Sequence, residues 1–431
     1  MGGGRIKVLL ATEGTYPFFR GGVSTWCDLL VRELADIDFV IYAITGDPLV
    51  APKYELPPNV RGLIHIPLWG VEEPALFFGG DFGEMRRKKR KTDEQTISSR
   101  FLPLLREVLR GIFDPFGEVE HVGRAFHALH QLFREIDYKA AFFSRATWEA
   151  FGAEMRASFQ RGDIEELPSV YDLTVSLRWL YHYLMFLNAP IPEVDVVHTT
   201  IAGSAGMAGV IAKFEYDTPF IVTEHGIYIR ERYLAVLRGD FSPFLKRFLG
   251  NLSALFTRLC YIYADQISPV ASFAKKWEIS FGASEDKIKV IYNGTDPSLF
   301  LPKPKPEKTR GRPTAVAAAA VMPLKDIETM IRSAAVARRE VPDVLYIVYG
   351  SLDIDPKYAR RCRELVRELG LEENFIFGGF HPRPYELYTE GDICVLSSIS
   401  EGFPFAAIEA MACERPVVAV SYTHLTLPTK A

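Results

Sequence analysis

Two glutamates eight positions apart carry the strongest chemical signal in this 431-residue chain. They sit in the segment SSISEGFPFAAIE, residues 397–409, which follows an apolar run and opens a helical pattern. Pro404 suits the first turn of a helix, where its missing N–H costs nothing. Glu401 then lies in the loop and Glu409 on the helix, about a turn inside. The N–H groups of Phe405 and Ala406 face the loop with no partner inside the helix, so an anion can take them. Carboxylates accept from sugar and ribose hydroxyls, and a helix N-terminus holds phosphate. The segment therefore suits a sugar–diphosphate ligand. A capped helix with two exposed glutamates is the plainer alternative.

Three more features stand in loops where ligands gather. Gly21-Gly22 ends the loop after the first predicted strand, and paired glycines let a ligand approach the backbone at a helix start. The glycines sit at 14, 21 and 22, which is not the GxGxxG spacing of dinucleotide oxidoreductases and disfavours that reading. A simple strand-to-helix turn is the alternative. His225, in TEHGIYIRER at 223–232, follows a predicted strand and would face a cleft from the carboxyl end of the first sheet. A satisfied structural histidine is the alternative. Lys325, in PLKD at 323–326, follows the first strand of the second half and can reach a phosphate as a point charge. The alternative is an exposed, solvated lysine.

The elements that must hold these residues read as α/β. Strands are predicted at 6–12, 39–44 and 62–66, with a helix at 23–34 after the glycine loop. Residues 70–190 break that rhythm with aromatic-rich helical patterns at 101–109, 122–133 and 171–187, which predicts a helical insertion. Strands return at 194–199, 220–223, 266–270 and 288–292. Pro302, Pro304 and Pro306 stand among five Lys or Arg, a stiff exposed connection. Beyond it, strands are predicted at 314–321, 344–349, 374–377, 393–396 and 416–420, with helices at 326–339 and 356–369. The expected architecture is two doubly wound Rossmann-like domains facing a cleft. They span 1–295, with the insertion at about 70–190, and 313–420, joined by a linker at 296–312. Ligands in such sheets bind at the carboxyl ends of the strands.

Composition narrows the class. Lys plus Arg is 50 and Asp plus Glu is 54, a net charge of −4, with 48% hydrophobic and 13% aromatic residues. Disordered and low-complexity classes are excluded, and nothing global points to nucleic acid as a partner. Cys27, Cys260, Cys362, Cys394 and Cys413 are scattered, with no CxxC pair. That argues against a disulfide framework or structural zinc and for the reducing cytosol. No apolar run reaches the roughly eighteen residues of a membrane span, and the opening residues do not make a secretion signal, so a soluble chain is expected. The basic run RRKKRK at 86–91 is either a solvated loop or a contact with anionic lipid or a phosphorylated partner.

Taken together and in order, EGTYPFFRGGVSTW, TEHGIYIRER, IYNGTD, MPLKDIETMIRS and SSISEGFPFAAIEAMA resemble the family 4 glycosyltransferases of the GT-B fold. More narrowly they resemble the PelF-like members that serve Pel exopolysaccharide biosynthesis. The resemblance covers about residues 7–420 and is weakest in the insertion. It implies retaining transfer of a hexose from a UDP-sugar, UDP-glucose foremost, to a growing glycan or other acceptor, with no metal and no further cofactor. It implies that His225 stands beside the donor sugar and that Glu401 contacts it, as the catalytic pair. For donor binding it implies Lys325 on the diphosphate and Glu409 on the ribose. The amides of Phe405 and Ala406, with Gly21 and Gly22, match the backbone cradle, and Phe380 lies near the base. Arg230, Glu231 and Arg232 either line an acceptor channel or form an exposed charged helix start. The implied setting is cytoplasmic, with a membrane-bound polysaccharide synthase complex as partner and peripheral placement at the inner membrane.

Two departures from the family pattern stand out. Ala319 and Ala320 occupy the places of a Gly-Arg pair, so the expected phosphate-binding arginine is absent. One lost charged hydrogen bond costs on the order of 1.5–3 kcal/mol, roughly ten- to 150-fold. This supports a second reading, a non-catalytic nucleotide-sugar-binding component of an assembly complex. The final residues, 421–431, do not continue the family pattern. They are expected to be a foreign tail that leaves the second domain without its last helices.

Overall fold

Continuous apolar runs make the first sheet. In the computed structural model, which describes residues 4–381 and 383–419, strand β1 (Lys7–Glu13) is buried from Val8 to Thr12. It lies between β2 (Asp38–Thr45) and β4 (Val196–Thr199), with Val8 opposite Phe39 on one side and Val196 on the other. With β3 (Val60–Pro67), β5 (Phe220–Glu224) and β6 (Gln266–Pro269), the described strands form a six-stranded parallel sheet in the order β3-β2-β1-β4-β5-β6. Alternate residues of β1 serve opposite faces. Val8 and Leu10 pack with Cys27 and Val31 of helix α1 (Gly22–Glu33). Leu9 and Ala11 join the larger core that includes the insertion. Both faces are therefore covered, as a parallel sheet requires.

The insertion between β3 and β4 is helical: α2 (Phe82–Lys91), α3 (Leu102–Phe113), α4 (Glu120–Phe133), α5 (Arg145–Arg161) and α6 (Val170–Tyr183). Leu105, Val108, Leu109 and Ile112 of α3 share one buried stripe and pack into the same core as Val122, Phe126 and Leu129 of α4. A reciprocal Ser169–Asp172 capping box starts α6. The basic run at 86–91 is not a loop; it forms the C-terminal part of α2. Asp81 caps the helix at Glu84 N, and cations at its far end complement the dipole. Lys88 pairs with Glu84 at 3.1 Å and Lys89 with Glu73 at 3.0 Å.

The α/β rhythm resumes with α7 (Met207–Tyr216), α8 (Tyr228–Arg238), α9 (Pro243–Tyr263) and α10 (Ala274–Ser280). The strand expected at 288–292 does not form. Ile288 makes one isolated bridge to Ile267, and Ile291 N donates to Pro269 O before the chain leaves the edge.

Contacts divide the chain after Ile291 into two units. In the second, β7 (Thr314–Ala318), β8 (Leu345–Tyr349), β9 (Phe375–Gly379), β10 (Ile393–Leu396) and β11 (Val417–Ala419) form a parallel sheet in the order β11-β10-β7-β8-β9. Ala315, Ala317, Tyr346 and Val348 pack with α11 (Ile327–Glu340) and α12 (Pro356–Glu368). Val316, Leu345 and Ile347 face α13 (Pro384–Glu390) and α14 (Phe405–Ala412). The segment 296–312 belongs to this unit: Phe300 is buried beside Tyr388, and Lys305 reaches Asp392 at 2.7 Å. All five cysteines are free and buried. Among the described residues no helix is long and apolar enough to cross a membrane. Residues 421–431, expected as a foreign tail, lie outside the described residues.

Candidate functional site

In each sheet the strand order reverses at one point, β1/β4 in the first and β7/β10 in the second, and such points open a crevice at the carboxyl ends. The candidate residues stand at these ends.

In the second unit, Lys325 follows β7 and Glu401 follows β10. Their Nζ and Oε1 atoms are 2.5 Å apart. Ser398 Oγ donates to the same Glu401 oxygen at 2.6 Å, Ser397 Oγ donates to Lys325 O at 2.8 Å, and Ile399 N donates to Leu324 O at 2.8 Å. The two loops are thus laced together across the reversal. Both side chains are partly buried, so neither the solvated lysine nor the exposed glutamate holds. Helix α14 begins one residue later than expected. Pro404, with its extended ψ of 123°, is the cap, and Phe405 and Ala406 are the first two helical residues. Their N–H groups still head the helix. Asn293 Nδ2 donates to Phe403 O at 3.0 Å, and the Tyr292 ring sits 5.3 Å from that of Phe403, which fixes the approach to the helix. Glu409 Oε2 accepts from Tyr388 OH at 2.6 Å, and burial raises its carboxyl above the ordinary value. Phe380 follows edge strand β9 and is 56% exposed. Ala319 and Ala320 run close over Gly350, where an added Cβ would lie 2.0 Å from Ala319 O.

In the first unit, Gly21 caps α1 with an extended backbone, and a Cβ built there would meet nothing within 4 Å. Neither backbone nor packing demands glycine, so the space before the helix start stays open. His225, after β5, packs against Trp26 of α1 with ring centroids 4.7 Å apart. Trp26 also meets His198 of β4 at 5.5 Å. The glycine-led helix and His225 are therefore brought together by an indole. Burial pushes His225 down to about 3 and His198 down to about 4, so both rings are neutral at pH 7. His225 Nε2 is buried with no hydrogen-bond partner among the described residues. Glu13, at the end of β1, spans the reversal by accepting from Ser204 Oγ at 2.7 Å. Sequence reasoning missed Glu13 and Trp26 as site residues; both stood in the quoted EGTYPFFRGGVSTW segment, and an indole near the start of α1 was the available signal.

Arg230, Glu231 and Arg232 occupy the first two turns of α8, and the exposed helix start is not what forms. Tyr228 and Ile229 are buried and draw the turn inward. Arg232 Nη2 donates to Tyr183 OH at 2.5 Å, while its Nε has no partner among the described residues. Glu231 lies against Gly226, where a Cβ would stand 2.6 Å from Glu231 Oε1. Behind His225, Glu224 is buried, accepts from Tyr261 OH at 2.6 Å and faces Glu278. Burial holds both carboxyls well above the ordinary range, with Glu224 raising Glu278 further. Among the described residues no cluster of three metal-ligating side chains occurs.

Residues 302–425, which contain Lys325, Glu401 and Glu409, match a family model described as Glycosyl transferases group 1. The D-inositol 3-phosphate glycosyltransferase of Acidothermus cellulolyticus is 26% identical over 246 residues, 54% of this chain and 53% of that protein. The chain spans about half the length of the curated relatives it matches. Anabaena HepE, solved with UDP and glucose, aligns over 96% of this chain and 80% of its own at a TM-score of 0.55 and 16% identity. Sucrose-phosphate synthase of Thermosynechococcus elongatus aligns over 96% and 81% at 0.55 and 15%. The fold is that of the GT-B glycosyltransferases. Residues 6–286 match the model described as Domain of unknown function (DUF3492), and the chain belongs to that family, with a group 1 glycosyl transferase domain following it.

Proposed function

We propose that the chain is a retaining glycosyltransferase that moves a hexose from a UDP-sugar, UDP-glucose foremost, to a growing glycan. In this reading it is a cytoplasmic, PelF-like component of exopolysaccharide synthesis that works beside a membrane-bound synthase complex. The observation that carries the reading is the Lys325–Glu401 pair at the reversal of the second sheet, laced to the loop that leads into α14 and inside the group 1 match.

Breaking the anomeric C–O bond places negative charge on the leaving diphosphate and positive charge on the sugar ring. Lys325 and the Phe405 and Ala406 N–H groups neutralise the first. Lys325 and Glu401 satisfy each other. An arriving donor exchanges that pair for a lysine–diphosphate contact and frees Glu401 to accept from sugar hydroxyls. Glu409, steadied by Tyr388, keeps its second oxygen for the ribose. Gly21 and Gly22 add backbone donors, Phe380 offers a ring to the base, and neutral His225 offers Nε2 to a sugar hydroxyl. Arg232 and its neighbours serve the acceptor. The reaction runs without a metal, as the family resemblance implies.

Calorimetric titration with UDP, using GDP and NAD as controls, tests this, followed by incubation with UDP-glucose. Selective UDP binding with sugar transfer or slow donor hydrolysis is expected. NAD binding, or no UDP binding by the folded chain, overturns the reading. Ala320 favours one other reading, the non-catalytic binding component, which predicts UDP binding with no turnover.

A further inference from the structure

We propose that a line of aromatic rings on the first unit is a track for the glycan acceptor, an inference that rests on the glycosyltransferase reading. The line starts at Arg232, on the same loop-to-helix segment as His225. Its guanidinium lies over the Tyr183 ring at 5.7 Å. Tyr183 stacks on Trp179 at 5.5 Å with a 20° interplanar angle. Trp179 meets Trp69, in the loop after β3, edge-on at 5.2 Å. Arg178 lies over Trp69 at 6.0 Å.

Exposure rises along the line. Tyr183 is buried, Trp179 and Trp69 are half-buried, and Arg178 is exposed. Tyr183 and Trp179 pack against the core of the first unit, and the line runs outward from them through Trp69 to the exposed Arg178. A sugar ring has a face of C–H groups and a rim of hydroxyls. The half-buried indole rings of Trp179 and Trp69 match the face, and guanidinium groups at both ends match the rim. Trp and Tyr also give large contact areas at low conformational cost.

Two observations point to a ligand rather than to packing. Arg232 Nε is buried with no acceptor among the described residues, a group that calls for a partner. Trp69 is also set in place in advance. His182 covers one of its faces at 3.9 Å and is itself fixed through Nδ1, 2.6 Å from Leu68 O. Preorganisation of this kind favours binding. Arg178 sits near the outer limit of cation–π range, so a sugar can displace it.

The test is tryptophan fluorescence and calorimetry on the full chain with cellohexaose, maltohexaose and chitohexaose. At least one should bind and perturb the fluorescence. Trp69→Leu should bind it about ten-fold more weakly. Trp148→Phe, on α5 and outside the line, should bind as the parent does. If Trp69→Leu does not fold, Trp69→Phe keeps a ring against His182 and should weaken binding about three-fold. UDP affinity should stay constant throughout. A chain that binds UDP but none of the three glycans, or Trp69 variants that bind them unchanged, overturns the track alone. Glycan binding through Trp69 without UDP binding overturns the donor reading and leaves the track standing.

Discussion

The cation expected to meet a diphosphate is already bonded to the carboxylate expected to meet the sugar, Lys325 to Glu401 at 2.5 Å. Removing either partner exposes the other. Lys325→Ala should lower turnover with UDP-glucose by about 10²-fold or more, because it deletes a charge aimed at the leaving group. Steady-state kinetics checks this, and a loss confined to KM would assign the lysine to ground-state binding only. Ala320 stands where the resemblance to family 4 enzymes places an arginine. Ala320→Arg should raise UDP-sugar affinity or turnover by roughly ten- to 150-fold, the worth of one charged hydrogen bond. Unchanged kinetics would mean that the group 1 site here manages without that contact.

The loop between β7 and α11 owes its course to Gly350, at the end of β8. A side chain there would press on Ala319 O from 2.0 Å, and backbone cannot swing away as a side chain can. Gly350→Ala should cost about 1–3 kcal/mol in denaturant unfolding. It should also weaken UDP binding without touching the ligand, because the displaced loop carries Lys325. The strands framing these loops were legible as continuous apolar runs, and β1, β2, β8 and β10 appear within a residue or two of their predicted places. Residues 288–292 misled because they are apolar enough for a strand, yet only Ile288 bridges the neighbouring β6. In α2 the charge run masked the Asp81 cap and the salt bridges that make it helical. The site was legible as residue types, not as contacts. Lys325 and Glu401 are 76 positions apart, and nothing local announces that they meet. Arg232 looked like surface because its neighbours are charged; the buried Tyr228 and Ile229 decide its direction instead.

At the scale of the whole molecule, protonation is distributed unevenly. His225 and His198 stay neutral when folded but take up protons below about 6.5 when unfolded, so their contribution is lost as the pH falls below that value. Glu224 and Glu278 are shifted the other way. Folded, they keep a proton that the unfolded chain releases above its ordinary carboxylate value of 4.5, so their contribution is lost as the pH rises. All four lie in the first unit. Between about 4.5 and 6.5 the histidine and carboxyl effects offset each other, so calorimetric melting up to about pH 9 should show that unit weakening most clearly as the pH rises above 6.5. Glu278→Gln, which keeps a donor but cannot ionise, should flatten the alkaline side. An unchanged alkaline slope would show that the pair does not hold its proton.

The buried cysteines have a practical consequence. An alkylating reagent needs a thiol that is both reachable and ionised, and burial denies both conditions in the folded chain. Modification therefore counts transient openings rather than the resting structure. Cys27 and Cys260 keep time for the first unit, and Cys362, Cys394 and Cys413 for the second. Peptide mass mapping can read the two clocks separately without any engineered label. UDP should slow the clock at Cys394 and Cys413, which lie in β10 and at the end of α14, and leave that at Cys27 running as before.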